Sequence, residues 1–180
     1  MRTFIPYNAL LLLLVSLAFG AKDAVNAVHG TTKLDRAAKT VVVKTADGTK
    51  HTLHLVGKTT VRGADLTDKG AKASFHGLKE GTEVVAHYTE RGGKDTAVEL
   101  DKVGKDGLKG IEGTISVVDR TGKKIAVTTA DGTEQTFKLT DHAVTDAGKD
   151  IGKGSEKGTK VIVYSSEDAG KKVAHFFEKM

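Results

Sequence analysis

No cysteine and no tryptophan occur among the 180 residues, and the one proline is Pro6. Without cysteine there is no disulfide framework, thiolate metal site, cysteine nucleophile or lipoprotein acyl anchor. Aromatic residues are scarce, at 5%, which leaves few flat faces on which single-stranded nucleic acid could stack. Past the N-terminus no apolar run approaches the roughly 18 to 20 residues of a spanning helix. What is present is an ordinary globular balance, 38% hydrophobic and 28% charged with 21 glycines, which excludes collagen and argues against wholesale disorder. The length suits one ordinary domain or two small ones.

The first twenty residues read as an address. Arg2 supplies a positive start, Ala9 to Phe19 an apolar run, and Ala18-Phe19-Gly20 a small-residue cleavage box. The expectation is residues 1–20 as a signal peptide, cut between Gly20 and Ala21, giving a periplasmic or secreted chain with no later membrane span. Loss of Arg2 takes the formal charge from +5 to +4. Lysines alternate with Asp, Glu and Gly throughout, so the mild basicity reads as a solvated surface rather than a nucleic-acid arm.

Self-comparison reveals a repeat. Asp35 to Leu55 aligns without gaps on Asp119 to Leu139, with 11 of 21 positions identical. Further on, the stretch beginning Gly81-Thr82-Glu83-Val84 aligns with the one beginning Gly158-Thr159-Lys160-Val161, the offset dropping from 84 to 77. The expected division is a first repeat over 21–103, a linker over 104–108 and a second repeat over 109–180.

Within each copy the apolar period is two. Val41-Val42-Val43 and Ile125-Ala126-Val127 are β-branched runs, followed by the structural turns Asp47-Gly48 and Asp131-Gly132, whose residues tolerate positive φ in a hairpin. His51, Leu53 and Leu55 share one face of the return strand, and Thr52 and His54 the other. Phe137, aligned with Leu53, is expected in the core. Arg91-Gly92-Gly93 and Ala169-Gly170 mark later hairpins, and a weak strand is expected near Val144. Val84-Val85-Ala86 and Val161-Ile162-Val163 read as strands covered on both sides. The fold expected is all-β, two tandem small antiparallel β-barrels of OB-like or SH3-like size with five to six strands each, since closure removes exposed edges.

These residues carry a resemblance. Gly113-Thr-Ile-Ser-Val-Val-Asp, the Asp131-Gly132-Thr133 hairpin, Gly158-Thr-Lys-Val-Ile-Val-Tyr and the closing Lys171-Lys-Val-Ala-His resemble an exported bacterial family of domains of unknown function. Leu78-Lys-Glu-Gly-Thr-Glu-Val fits its L-x-x-G-x-x-V segment, whereas the second copy has Ser155 in place of the Leu. The resemblance implies OB-like barrels in tandem behind a signal peptide, and it supplies no catalytic residues.

Chemistry is sparse. His51 and His54 fall on opposite strand faces, no histidine recurs between the copies, and the seven histidines read as scattered over the surface. Gly148 to Ser155 lacks the spacing of a phosphate loop. Asp68 and Asp150, in aligned loops with Asp65 and Asp146, are candidate cation contacts but lack the ligand order of a calcium loop. No G-x-S-x-G elbow is present, and Ser74, Ser116, Ser165 and Ser166 have no base in any motif. Phe176-Phe177, if strand, must turn one ring outward and is a candidate contact. The expected function is an exported, non-catalytic β-module without cofactor that binds an envelope protein or polymer, with no nucleic-acid role. Alternatives are a weak polyanion or divalent-cation binder using Lys-rich or Asp-bearing loops, and an enzyme with a site between the barrels.

Overall fold

A computed structural model describes residues 26–63, 68–69, 78–140, 157–168 and 170–180. The expected signal peptide and cleavage point, the strand near Val144, Asp150 and the Gly148–Ser155 segment lie outside these residues. Eleven strands and no helix make up the described part. They are β1 (Asn26–Asp35), β2 (Thr40–Lys44), β3 (Lys50–Arg62), β4 (Asp68–Lys69), β5 (Glu83–Arg91) and β6 (Lys94–Lys102), then β7 (Lys109–Asp119), β8 (Lys124–Thr128), β9 (Glu134–Leu139), β10 (Lys160–Asp168) and β11 (Lys171–Lys179). The chain is therefore all-β, in two sheets.

The second sheet is a closed five-stranded barrel, β10-β11-β9-β8-β7. The first runs β2-β1-β5-β6-β3-β4, and β2 also pairs with β3. Both contain a parallel pairing, β3 with β6 and β9 with β11, which corrects the purely antiparallel expectation. The reason is parity: an odd number of strands around a closed ring cannot alternate direction at every step.

The alternating strands fill each interior. Val41, Val43, Leu53, Leu55, Val84, Ala86, Ala97 and Leu100 form one core, capped by Leu78 from the Leu-Lys-Glu-Gly segment. Ile115, Ile125, Val127, Phe137, Leu139, Val161, Val163, Ala174 and Phe177 form the other. Phe137 takes the place of Leu53 as expected, and both are completely buried.

The turns repeat in detail. β2 and β3, like β8 and β9, are joined by a five-residue connection (45–49 and 129–133) in which Gly48 and Gly132 have φ of 89° and 82°. Positive φ falls on the glycine alone; Asp47 and Asp131 act through their carboxylates instead. Thr45 Oγ1 donates to Asp47, and the Thr49 amide donates at 3.0 Å. Thr129 Oγ1 and the Thr133 amide do the same to Asp131, at 2.5 and 3.0 Å. Gly92 and Gly93, with φ of 57° and 73°, turn the β5–β6 hairpin.

The correspondence also extends upstream of Asp35. Thr31 pairs with Lys44 and Thr114 with Thr128, while a bulge between Ile115 and Val117 makes Ser116 an extra residue. Gly30 and Gly113 thereby become equivalent. At each, β1 or β7 leaves one neighbour for the next, and a Cβ would stand 2.2 Å from Lys44 O or 2.4 Å from Val127 Cγ1.

Candidate functional site

Two places stand out: an outer face of the first sheet and the junction of the two sheets. On the first sheet the residues facing away from the core are Lys33 on β1, Thr40, Val42 and Lys44 on β2, and Lys50 and Thr52 on β3. Pairing brings Lys33 beside Val42, Val42 beside Thr52, and Lys44 beside Lys50. With Arg36, Asp35 and Glu80 they line an open basin of about 810 Å³. Four cations against two carboxylates make its surface positive. These lysines sit on strands or at strand ends. Among the described residues the second sheet does not repeat this arrangement, because Thr128 and Glu134 replace Lys44 and Lys50, and Val117 replaces Lys33. Glu134 there accepts a 2.8 Å hydrogen bond from Ser116.

The junction is built by two bulges. In β6 the register shifts between His87 and Tyr88, leaving Val98 as an extra residue. Ala97 and Leu100 both point into the core, so Glu99 and Asp101 point outward beside His87. In β11 the same shift makes His175 the extra residue, between Ala174 and Phe176. The offset of 77 that aligns the copies pairs Val98 with His175, so one bulge device occurs twice.

The outer faces of the β5–β6 and β10–β11 hairpins are covered here. Val85 and Val173 are buried but belong to neither core. His87, Glu99, Asp101, His175 and Ser166 are exposed by 3% or less. Ser166 Oγ lies 2.8 Å from His175 Nε2, and His175 Nδ1 lies 3.4 Å from Asp101 Oδ2, joining the second sheet to the first. His87 Nε2 approaches the same oxygen at 3.4 Å, and Arg62 Nε lies 3.2 Å from Glu99 Oε2. Burial, with Asp101 adding its charge, pushes Glu99 up to about 8 against the pull of Arg62. Burial would also raise Asp101, but hydrogen bonds from His175 and His87 outweigh it and hold that carboxyl below the usual range. Charge is therefore favoured on Asp101 and disfavoured on Glu99.

The order Ser166, His175, Asp101 has the connectivity of a nucleophile, base and orienting acid. Hydrolysis also needs space for a substrate at the hydroxyl, and Ser166 is 3% exposed and lines neither the 810 Å³ basin nor a smaller one bounded by Glu112, Thr128 and Met180.

The other expectations sort plainly. His87 and His175 are buried, so the reading of all histidines as surface residues is corrected; their partner Asp101 gave no motif, being 14 and 74 residues away. His51 and His54 do lie on opposite faces, and His51 sits 6.3 Å from the Tyr88 ring. Asp68 is in β4, paired with Arg62, and not in a loop. Ser166 Oγ has His175 Nε2 at 2.8 Å, a contact that no sequence motif announces. Phe177 enters the core and Phe176 turns outward, stacked on Tyr164 at 4.3 Å. Glu178 accepts a 2.8 Å bond from Tyr164 Oη, which raises the phenol's pKa. Val84, Val85 and Ala86 are all buried, whereas Ile162 is half-exposed between buried Val161 and Val163, so two-sided cover holds in the first copy only. No protein-family model and no curated protein matches this chain.

Proposed function

We propose that this is an exported, non-catalytic module of two tandem OB-like barrels that binds an anionic polymer of the cell envelope on the β1–β2–β3 face. The observation that carries the reading is the basin of Lys33, Arg36, Lys44 and Lys50 over a floor of Thr40, Val42 and Thr52. Such a concave positive surface raises the local concentration of phosphate or sulfate groups. The strand order β1-β2-β3-β6-β5, with β3 parallel to β6, supports the OB-like assignment, as does the same order in β7-β8-β9-β11-β10. In that fold ligands sit against the second and third strands and the adjoining loops, which is where this basin lies. Fold analogy alone would not assign a ligand; the charge of the face is what supports this reading.

The N-terminal pattern supports export, with the barrels over 21–103 and 109–180. No helix among the described residues is long and apolar enough to cross a membrane. A protein partner is the second reading, favoured by the outward Tyr164–Phe176 stack. Binding of the mature chain to polyphosphate and to heparin, followed across salt concentrations, tests the first. Affinity falls steeply with salt, and charge reversal at Lys33, Lys44 and Lys50 flattens the log-log slope by about one unit per lysine. Binding unaffected by the triple reversal contradicts it.

A further inference from the structure

The outer face of β10 and β11 carries an inference that involves the cationic basin but does not depend on polymer binding there. Val161, Val163 and Phe177 point into the second core, so Lys160, Ile162 and Tyr164 on β10, and Phe176 and Glu178 on β11, point away from it. Pairing sets Ile162 between Glu112 of β7 and Glu178, and Tyr164 between Gly110 and Phe176. The two rings stack at 4.3 Å and 13°. A Cβ on Gly110 would stand 3.3 Å from Ile162 Cγ2 and 3.5 Å from Tyr164 Cε1, so these side chains pack down onto the glycine backbone. Tyr164 Oη is also tied to Glu178 at 2.8 Å. The result is a ridge with an apolar crest, flanked by exposed Glu112 and Glu178 and ended by exposed Lys160. Its order is in place before a partner arrives, which lowers the cost of binding. We infer that this ridge docks into the β1–β2–β3 basin of a second copy of the chain, giving head-to-tail association.

The argument is complementarity of charge and form. The basin is open, with Lys33, Arg36, Lys44 and Lys50 around an apolar Val42, and with Asp35 and Glu80 at its border. The two ridge carboxylates meet its four cations, and Lys160 meets its two carboxylates, so opposite charges face each other in both directions. Ammonium and guanidinium groups brought against Tyr164 and Phe176 add cation–π attraction. Two basins brought together would repel, which disfavours a two-fold pairing through that face. Each half supplies one side of the contact: the second sheet sets Tyr164 and Phe176 where the first sets His87 and Glu99, and the first sets Lys44 and Lys50 where the second sets Thr128 and Glu134. Ridge and basin thus belong to different sheets of one chain, and the contact is heterologous. Every added copy leaves one ridge and one basin open, so the assembly grows until a ring closes.

The test is the association state of the whole mature chain, followed by sedimentation at low salt up to roughly 1 mM, where a small polar interface is populated. The expected result is an average mass that climbs past that of a dimer with concentration and falls back as added salt screens the ion pairs. Phe176→Ser with Glu178→Gln removes the ridge, and Lys44→Gln with Lys50→Gln removes the basin. All four side chains are on outward faces, so both variants should fold, which circular dichroism checks. Each variant alone should stay monomeric, whereas an equal mixture should form a dimer that grows no further, because one variant keeps the basin and the other the ridge. A wild type that is monomeric throughout overturns the proposal, and its reading needs no variant. So does association that stops at a dimer, survives either pair of substitutions, or is not restored by mixing. Polyphosphate affinity of the ridge variant reads the polymer proposal by itself, so the two fail separately.

Discussion

The two halves share their turns, bulges and cores but differ on the surfaces those features create. Where the first sheet carries Lys44 and Lys50 side by side, the second carries Thr128 and Glu134. Outside the two equivalent bulges the first half places His87 and Glu99, whereas the second places Tyr164 and Phe176, stacked at 4.3 Å. The common residues, among them Asp47 and Asp131, Gly48 and Gly132, and Gly30 and Gly113, act on backbone geometry. The divergent pairs just named sit on outward faces, where a substitution costs the fold little and alters what the surface can hold. The repeated scaffold leaves its faces free to differ, and the proposed binding face is one of those differences.

The comparison can be pressed at several depths. The largest effect is expected in the interiors, where Leu53 and Phe137 occupy one position in two cores and both are fully buried. Phe137→Ala should cost about 3–5 kcal/mol and Leu53→Ala about 2–5 kcal/mol in denaturant unfolding. If the halves unfold independently, each variant shifts one transition; if the junction couples them, either shifts both. Gly30→Ala and Gly113→Ala come next, because the new methyl would meet Lys44 O at 2.2 Å or Val127 Cγ1 at 2.4 Å and Thr128 O at 2.7 Å. Each should lose about 1–3 kcal/mol by overpacking, and a neutral result at either would break the equivalence of the two corners.

The smallest effect belongs to the hairpin carboxylates. Hydrogen bonds from Thr45 and the Thr49 amide lower the pKa of Asp47, and those from Thr129 and the Thr133 amide lower that of Asp131. A carboxyl lowered in the folded state contributes stability that is present above its unfolded pKa of about 4 and is lost as pH falls through the folded value. Both side chains should therefore titrate below the ordinary range in a carboxyl NMR titration. Asp47→Asn combined with Asp131→Asn should lower stability slightly at neutral pH, leave it nearly unchanged at acid pH, and so flatten the acid limb of the stability curve.

Much of this scaffold was legible in the chain because its signals are local. Period-two alternation, the Asp-Gly connections and the Gly92-Gly93 turn each act within a few residues, and all give the elements expected. The parallel closure was not legible, since it follows from strand number around a ring and not from any one segment. The bulges escaped for a related reason. A single added residue, Val98, His175 or Ser116, leaves composition untouched while reversing which neighbours face outward. That reversal directs Glu99 and Asp101 away from the core, so a face-counting reading of β6 places them wrongly. The junction gathers residues from 62 to 175, and no spacing rule spans that distance. The cationic face was partly visible as Lys-rich composition, but only the pairing of β2 with β3 shows lysines abreast.

One exchange tests the central claim that function lies where the halves diverge. Lys44→Thr with Lys50→Glu gives the first sheet the second sheet's residues, and Thr128→Lys with Glu134→Lys does the reverse. Affinity for polyphosphate at fixed low salt is measured for the wild type and both double variants. The account predicts at least a tenfold loss in the first variant and a gain in the second, with melting midpoints close to wild type. Equal affinity in all three proteins would contradict it.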